Sequence, residues 1–261
     1  RPQFNPLIVH VLNLEEAGRY AQMSEAAKKL ATRFWPGALT LVMKRKEPSA
    51  LSLLVSAGLD TVAVRVPAHP LMRAVLEASG LPIAAPSANR SGRVSPTEAA
   101  HVREELGGKV AMIVDGGRCD IGIESTVVDV SGEDPALLRP GAITREQIEA
   151  CVGKLGQGAS EIKAPGMMES HYAPNLPLRL KAMSLNPGEA LLAFGKPLSG
   201  AGVVENLSET GNLQEAAANL FRMLRVLDAS GAKAIAVMPI PDEGLGAAIN
   251  DRLMRAAAAK P

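Results

Sequence analysis

The chain has 261 residues, with 28 Lys and Arg against 27 Asp and Glu, and 47% of it is hydrophobic. This length allows one large domain or two of modest size, and the apolar content excludes a disordered chain. The net charge of +1 and the 3% of aromatic residues argue against a protein that holds nucleic acid through charge or base stacking.

The first part of the chain alternates between helical and strand patterns. Apolar residues at helical spacing predict a helix over 14–33, and runs rich in valine and leucine predict strands over 39–43 and 61–66. The same patterns predict further helices over 69–79 and 144–151, a short buried strand over 82–85, and strands over 110–114, 125–130 and 137–139.

The texture changes over residues 153–177, where Gly, Pro and Met are frequent and no period is visible, which indicates a linker. Beyond it the alternation resumes, with strands predicted near 190–194, 200–205 and 233–238 and helices over 212–230 and 243–258. We therefore expect an α/β protein with a first domain over 1–152, a linker that acts as a lid over 153–177, and a smaller α/β domain over 178–261.

Several kinds of site are disfavoured by the motifs. The sequence has no phosphate-binding Gly-x-x-x-x-Gly-Lys-Ser/Thr loop, no dinucleotide fingerprint and no nucleophile elbow. Four scattered histidines make a metal site improbable. Cys119 and Cys151 lack the spacing of a zinc ribbon or a disulfide framework, which favours a reducing cytoplasm. No apolar run reaches the roughly 18 residues of a membrane span, so we expect no membrane partner.

Small polar and basic residues concentrate at the turns between the predicted strands. Arg65 lies in a strand of valine and alanine, where it either faces solvent at a sheet edge or points into a cleft toward a carboxylate or phosphate. His171, in the predicted linker, is either solvated or part of a cover over a cleft. Arginines, hydroxyls and amides of this kind bind anions, and they catalyse by positioning and charge stabilisation.

The segment around residue 95 combines a loop with a helix start. Ser95-Pro96-Thr97-Glu98 is typical of a capped helix, with Ser95 as the N-cap residue, and predicts a helix that ends near Leu106. The preceding loop, 87–92, is rich in Ser, Asn and Gly. It is either a plain turn or a nest of amides that binds an anion near the helix start.

Nine motifs, taken in chain order, resemble the L-threonylcarbamoyladenylate synthases of the Sua5 type, within the Sua5/YciO/YrdC family. The motifs are Arg-Pro-x-x-Asn-Pro-Leu-Ile-Val-His (1–10), Phe-Trp-Pro-Gly-x-Leu-Thr (34–40), Val-Ala-Val-Arg-x-Pro-x-His-Pro (62–70), Ala-Pro-Ser-Ala-Asn-x-Ser-Gly (85–92), Ser-Pro-Thr (95–97), Asp-Gly-Gly (115–117), Glu-Ser-Thr-Val-Val-Asp (124–129), Leu-Arg-Pro-Gly (138–141) and His-Tyr-Ala-Pro (171–174). Each is weak alone, but their common order makes chance an unsatisfactory explanation.

The resemblance implies a YrdC-like domain on a twisted mixed sheet, linked to a smaller Rossmann-like α/β domain. It also implies an ATP-dependent nucleotidyltransferase that joins L-threonine, bicarbonate and ATP into threonylcarbamoyl-AMP and releases pyrophosphate. Mg²⁺ would accompany the ATP, and no covalent nucleophile is needed. A separate tRNA threonylcarbamoyl transferase would then use the product to modify adenosine 37 of tRNA.

The resemblance also assigns residues to the two larger substrates. The residues that match the ATP-binding motifs are Arg1, Asn5, Thr61, Asn89, Ser95, Thr97 and Arg139, with His171 and Tyr172 closing over the nucleotide from the linker. The residues that match the threonine-binding motifs are His10, Arg65, Ser87 and Ser125.

One departure and one alternative accompany this interpretation. The family carries a strand–helix–strand segment before the Arg-Pro motif, so we expect this chain to lack that segment and to show weak activity. The alternative is a YrdC-like module that binds double-stranded RNA or tRNA without synthase activity, whose affinity would fall steeply with salt. A carbamoyl-transfer domain of hydrogenase maturation proteins is disfavoured, because the sequence shows no zinc-finger or acylphosphatase segment.

Overall fold

A computed structural model describes residues 5–156 and 171–258 of the chain, which divides into two compact units. The first unit is Arg1–Pro86 with Glu124–Met167, and the second is Ser87–Ile123 with Met168–Pro261. The second unit thus includes residues 87–123, which we expected in the first domain, and the domain boundaries given above stay a prediction. No helix in the described ranges combines the length and apolar character needed to cross a bilayer.

The helices and strands of the described residues are named in chain order. They are β1 (Ile8–His10), α1 (Leu14–Tyr20), α2 (Glu25–Phe34), β2 (Leu39–Lys44), β3 (Thr61–Arg65), α3 (Pro70–Ser79), β4 (Ile83–Ala85), α4 (Ala99–Leu106), β5 (Thr126–Asp129), β6 (Ala136–Arg139), α5 (Arg145–Val152), β7 (Leu178–Arg179), β8 (Glu189–Ala193), β9 (Val204–Asn206), α6 (Leu213–Asp228), β10 (Ala234–Val237) and α7 (Leu245–Ala257).

The first unit is built on a mixed six-stranded sheet in the order β4-β1-β3-β2-β5-β6. The pairs β1–β3 and β2–β5 are parallel, whereas β1–β4, β2–β3 and β5–β6 are antiparallel. Because side chains alternate along a strand, Val9 and Val64 pack with α1, α2 and α5 on one face. The opposite face carries a narrower apolar strip that includes Ile8, Val42 and Ala63.

The second unit contains a four-stranded parallel sheet in the order β7-β10-β8-β9. Leu220 and Phe221 of α6 and Ile249 of α7 form one apolar cluster with Leu192 of β8 and Ile235 of β10. A parallel sheet buried by helices is the arrangement expected for a Rossmann-like domain. The two sheets confirm the predicted α/β fold class, with a mixed sheet followed by a smaller parallel one.

The prediction of one helix over 14–33 is wrong, because two helices occupy this segment. Ala21 is extended and forms a β-bridge with Arg45, which ends α1. Ser24 then begins α2, since its hydroxyl accepts a hydrogen bond from the amide of Ala27 at 3.2 Å. The helical spacing of apolar residues continues across this break, so the spacing did not indicate it.

The prediction that Ser95 caps a helix is also wrong. The helix begins four residues later, at Ala99, with Glu98 in extended conformation as its N-cap. The amide of Thr97 donates its hydrogen bond to Nδ1 of His101 instead, at 3.2 Å. Residues 95–98 therefore form a loop held by the first turn of α4.

The remaining strand predictions are mostly confirmed, with shifted ends. Residues 110–114 are an exception, since they pair with no strand among the described residues. The strand predicted as buried over 82–85 is the half-exposed edge strand β4. The short strands β1 and β7 were not predicted as strands.

Gly141→Ala is expected to destabilise the first unit by about 1–3 kcal/mol, as overpacking does elsewhere. A Cβ atom at residue 141 would lie 2.5 Å from the Glu124 carbonyl oxygen and 2.5 Å from the Thr126 amide nitrogen. These are backbone atoms at the start of β5, so the strand itself would have to move. Urea unfolding measures the change. Gly132→Ala is the control, because no atom lies within 4 Å of a Cβ there; equal stabilities would contradict the clash.

Candidate active site

Polar side chains converge at one end of the second face of the six-stranded sheet. β1 ends at His10 and the parallel β3 ends at Arg65, and these two residues are register partners. β2 runs antiparallel to β3, so Thr40 near its start lies at the same end. Ser125 immediately precedes β5, which is parallel to β2, and therefore reaches this end too. The sheet topology thus brings together residues far apart in sequence.

Ser125 is the centre of a buried hydrogen-bond network. Its hydroxyl lies 2.8 Å from the Thr40 hydroxyl. Arg139 donates from Nη2 to the Ser125 carbonyl oxygen at 2.8 Å and to the Ser125 hydroxyl at 3.1 Å. Because Arg139 is only 3% exposed, this network holds a positive charge inside the unit in a fixed orientation.

Arg65 is the second cation of this site. Its Nε donates to the Gly37 carbonyl oxygen at 2.8 Å, which leaves the terminal nitrogens for another partner. Burial first, and then the positive charge of Arg139, lower the pKa of Arg65 to about 10. No carboxylate among the described residues forms an ion pair with Arg65. Two neighbouring, largely buried cations favour the binding of an anion.

His10 lies beside Arg65 in a neutral form. Its Nδ1 is 3.2 Å from the Ile83 carbonyl oxygen, and since a carbonyl only accepts, Nδ1 carries the proton. Nε2 of the neutral ring is then a hydrogen-bond acceptor. Burial, and secondly the charge of Arg65, lower the pKa of His10 to about 4, so the ring is neutral at physiological pH.

The structure separates the other predicted residues of the first unit from this cluster, or leaves them outside it. Thr61 is buried at the opposite end of β3, four residues and roughly 13 Å from Arg65 along the strand. Asn5 is buried before β1. Arg1 lies outside the described residues.

Four predicted residues lie in the second unit, in the segment between β4 and α4. Asn89 donates from its amide to the carbonyls of Arg90 and Arg93, and its Oδ1 is buried without a described hydrogen-bond partner. The Thr97 hydroxyl is likewise buried without a described partner. Ser95 is buried nearby in sequence, whereas Ser87 is exposed. Buried polar atoms without partners are uncommon and often mark ligand sites.

Tyr172 is part of the core of the second unit. It is 1% exposed and stacks on Phe221, with ring centroids 5.4 Å apart. The Arg252 guanidinium lies 5.3 Å from the centre of the Tyr172 ring, and His171 contacts the ring edge-on at 4.0 Å. The amide of Ala173 also donates to the Gly92 carbonyl at 2.8 Å. Residues 171–173 are therefore packed, in contrast to the expected open linker; the rest of that linker, 157–170, lies outside the described residues.

Sequence reasoning missed three contributors to these clusters. Thr40 was visible only as a polar residue in an otherwise apolar strand. Gly37 acts through its carbonyl oxygen, which no side-chain pattern reveals. His101 was not considered, although its spacing of four residues from Thr97 was a usable signal once the helix start was correctly placed.

The chemistry of the described residues points away from metal and thiol catalysis by the protein. No group of three or more His, Cys, Asp or Glu within the described ranges could hold a metal ion. Desolvation and the charge of Asp120 raise the pKa of the Cys119 thiol, which disfavours the reactive thiolate. The arrangement instead offers fixed cations, hydroxyls and a neutral imidazole.

A mixed six-stranded sheet, with a second unit on a parallel sheet, defines a YrdC-like α/β protein. Comparison with protein families agrees: a Sua5/YciO/YrdC profile described as "Telomere recombination" matches residues 1–141, and the profile "Threonylcarbamoyl-AMP synthase, C-terminal domain" matches 143–258. The chain belongs to the threonylcarbamoyl-AMP synthases of the Sua5 type, and its function in that family is enzymatic.

Individual relatives support this membership over almost the whole chain. The chain is 44% identical to the threonylcarbamoyl-AMP synthase of Bacillus subtilis, with 98% of this chain and 80% of the relative aligned. It is 40% identical to the enzyme of Pyrococcus abyssi, over 98% and 81%. The crystal structure of P. abyssi Sua5 with L-threonine superposes with a TM-score of 0.89 and 38% identity, covering 98% of this chain and 81% of that one.

Proposed function

We propose that this protein makes threonylcarbamoyl-AMP from L-threonine, bicarbonate and ATP. The amine of threonine is first carboxylated. An oxygen of the resulting carbamate then attacks the α-phosphorus of ATP, while the bond to the bridging oxygen breaks and pyrophosphate leaves. Positioning and charge neutralisation account for such a step, so it needs no nucleophile from the protein.

The observation that carries the proposal is Arg65, a largely buried cation with its terminal nitrogens available and Arg139 beside it. A forked guanidinium in this state suits a carboxylate, so we assign it to the carboxylate of L-threonine. Nε2 of His10 then accepts a hydrogen bond from the amine or hydroxyl of threonine. Ser125 completes this group, and Ser87 is retained from the motif alone. The P. abyssi relative solved with L-threonine supports the choice of amino acid.

We assign the nucleotide to a second set of residues. Its members are Arg1, Asn5, Thr61, Asn89, Ser95, Thr97, Arg139, His171 and Tyr172. Within it, the buried Asn89 Oδ1 and Thr97 hydroxyl are the atoms that most need a ligand partner. Mg²⁺ would enter with the ATP phosphates, because the described residues offer a cationic rather than a carboxylate-rich site.

Calorimetric titration with Mg²⁺–ATP tests the proposal, with and without L-threonine and bicarbonate and alongside an assay of pyrophosphate release. We expect threonine to strengthen ATP binding, and pyrophosphate to appear only when all three substrates are present. Pyrophosphate release without threonine would contradict the assignment. Salt-sensitive RNA binding with no affinity for ATP or threonine would favour the RNA-binding alternative instead.

The affinity for L-threonine is expected to be constant between pH 8 and pH 5 and to fall as the pH drops through about 4. The pKa of His10 is lowered to about 4, so the neutral ring persists until that pH. Protonation would then remove the acceptor and place a second cation beside Arg65. Threonine titrations from pH 4 to 8 measure this, with folding checked by circular dichroism. A midpoint near 6.5, the ordinary value for histidine, would contradict it.

We further propose that the product passes to a separate tRNA threonylcarbamoyl transferase for modification of adenosine 37, with at most weak tRNA contact by this chain. A cytoplasmic setting is consistent with Cys119 and Cys151, which form no disulfide in the described structure. A coupled assay with such a transferase and tRNA tests the transfer.

A further inference from the structure

The loop over residues 95–98 places two of the proposed ATP contacts, and one histidine holds it. Ser95 and Thr97 are both buried, at 5% and 2% exposure. The only described hydrogen bond of the Thr97 amide goes to Nδ1 of His101 at 3.2 Å, inside the protein. This bond crosses from the loop to the first turn of α4, so the histidine ring fixes where Thr97 lies relative to the helix.

The hydrogen bonds of His101 determine its protonation. An amide N–H only donates, so Nδ1 must be the unprotonated nitrogen. Nε2 then carries the proton and faces Oε1 of Glu98 at 3.3 Å. A second proton on the ring would set an N–H against the Thr97 N–H and break the bond. The position of Thr97 is therefore tied to the neutral ring with the proton on Nε2.

Charged groups from two helices surround this ring. Arg225 of α6 faces it, and it bonds to the Val94 carbonyl and the Glu105 carboxylate. Burial and then Arg225 lower the pKa of His101, whereas Glu98, Glu104 and Glu105 act in the opposite direction. His101 also lines a cavity of about 420 Å³ whose other charged residues are Arg90, Arg93, Glu104, Glu105, Arg225 and Asp228. The net effect favours the neutral ring that Thr97 requires.

We propose that His101 is a positioning residue of the nucleotide site, which holds Thr97 in the geometry that binds ATP by accepting its backbone hydrogen bond at Nδ1. The proposal rests on the proposed function, because Thr97 is assigned to ATP there. His101 itself touches no substrate; it acts through the loop. Its role extends the site to α4 and, through Arg225, to α6.

Two substitutions separate positioning from packing. His101→Leu keeps an apolar side chain of similar size but removes the acceptor, and is expected to raise the Kd for Mg²⁺–ATP about five- to tenfold, as loss of one buried hydrogen bond does. His101→Asn places Oδ1 near the position of Nδ1 and is expected to restore ATP affinity to within about twofold. His69→Asn, at an exposed histidine, is the matched control and should leave the affinity unchanged.

The pH dependence provides a signature that simple packing would not give. ATP affinity of the unaltered protein, divided by that of His101→Asn, should fall below pH 6.5, because only the histidine takes up a proton there. Nitrogen-15 NMR of the unaltered protein should show the His101 ring protonated at Nε2 alone at pH 7.5. This measurement does not depend on the folding of any variant.

The possible results distinguish the two proposals. ATP binding that depends on His101, without formation of threonylcarbamoyl-AMP, would overturn the proposed function and leave the inference intact. Unchanged ATP affinity in a folded His101→Leu variant, or a ring protonated at Nδ1, would overturn the inference alone. If the unaltered protein does not bind ATP at all, both are overturned.

Discussion

Replacing Arg65 with glutamine is expected to raise the KM for L-threonine by about 10²- to 10³-fold. The substitution removes the cation proposed to meet the threonine carboxylate, and truncating one partner of a buried charge pair typically costs 2–5 kcal/mol. Arg65 is fixed by the Gly37 carbonyl, so no other described side chain can move into its place. Steady-state kinetics of pyrophosphate release, with threonine varied, measure the effect.

Two control variants sharpen this test. Arg33→Gln removes an exposed arginine from α2 and should leave the KM for threonine unchanged. Arg65→Lys keeps the charge but loses the fork and the Nε bond to Gly37, so it should recover only part of the affinity. If Arg65→Gln raised the KM for ATP while leaving that for threonine unchanged, the assignment of Arg65 to the amino acid would be wrong.

Replacing Tyr172 with alanine is expected to destabilise the second unit by about 3–5 kcal/mol, the range for large aromatic side chains removed from a core. The ring is almost completely buried between Phe221 and the Arg252 guanidinium, so alanine would leave a cavity and an aromatic residue without its stacking partner. Urea or thermal unfolding followed by near-ultraviolet circular dichroism measures the loss.

Tyr172→Phe is the matched control, because it keeps the ring and its stacking on Phe221 while removing only the hydroxyl. We expect it to cost less than about 2 kcal/mol. A change in ATP affinity in this variant would then report the hydroxyl and not the packing. Similar unfolding curves for the alanine variant and the unaltered protein would mean that residues 171–173 are not packed as described.

The fold class was predictable because strand and helix patterns are local. The valine-rich run of β3 and the capped start of α5, where Thr144 and Gln147 form a capping box, follow from neighbouring residues. The two wrong helix predictions failed for non-local reasons. Ala21 ends α1 by bridging to Arg45, more than 20 residues away, and Thr97 bonds to a histidine where the capping pattern of Ser95 suggested otherwise.

The site was predictable to a similar extent. The sequence left two interpretations of Arg65 open, solvent or cleft, and only the sheet order resolved them by placing Ser125 and Arg139 at the same end as β3. Motif resemblance supplied candidate residues without their geometry. It could not reveal that Tyr172 lies in a core, since that depends on contacts with α6 and α7. Whether each residue contacts its assigned substrate stays a prediction.

The hydrogen bond from Arg65 to Gly37 has a consequence for stereochemistry. With Nε tied to the backbone, the terminal nitrogens of the fork can face a carboxylate from only one direction. His10 and Ser125 are held just as firmly, by the Ile83 carbonyl and by Thr40. Under the proposed assignment these are three fixed points around one carbon atom, and three fixed points cannot be matched by a molecule and its mirror image. The handedness of the amino acid accepted here would therefore be set by backbone carbonyls and a sheet register, which makes selection of the L enantiomer a property of the fold.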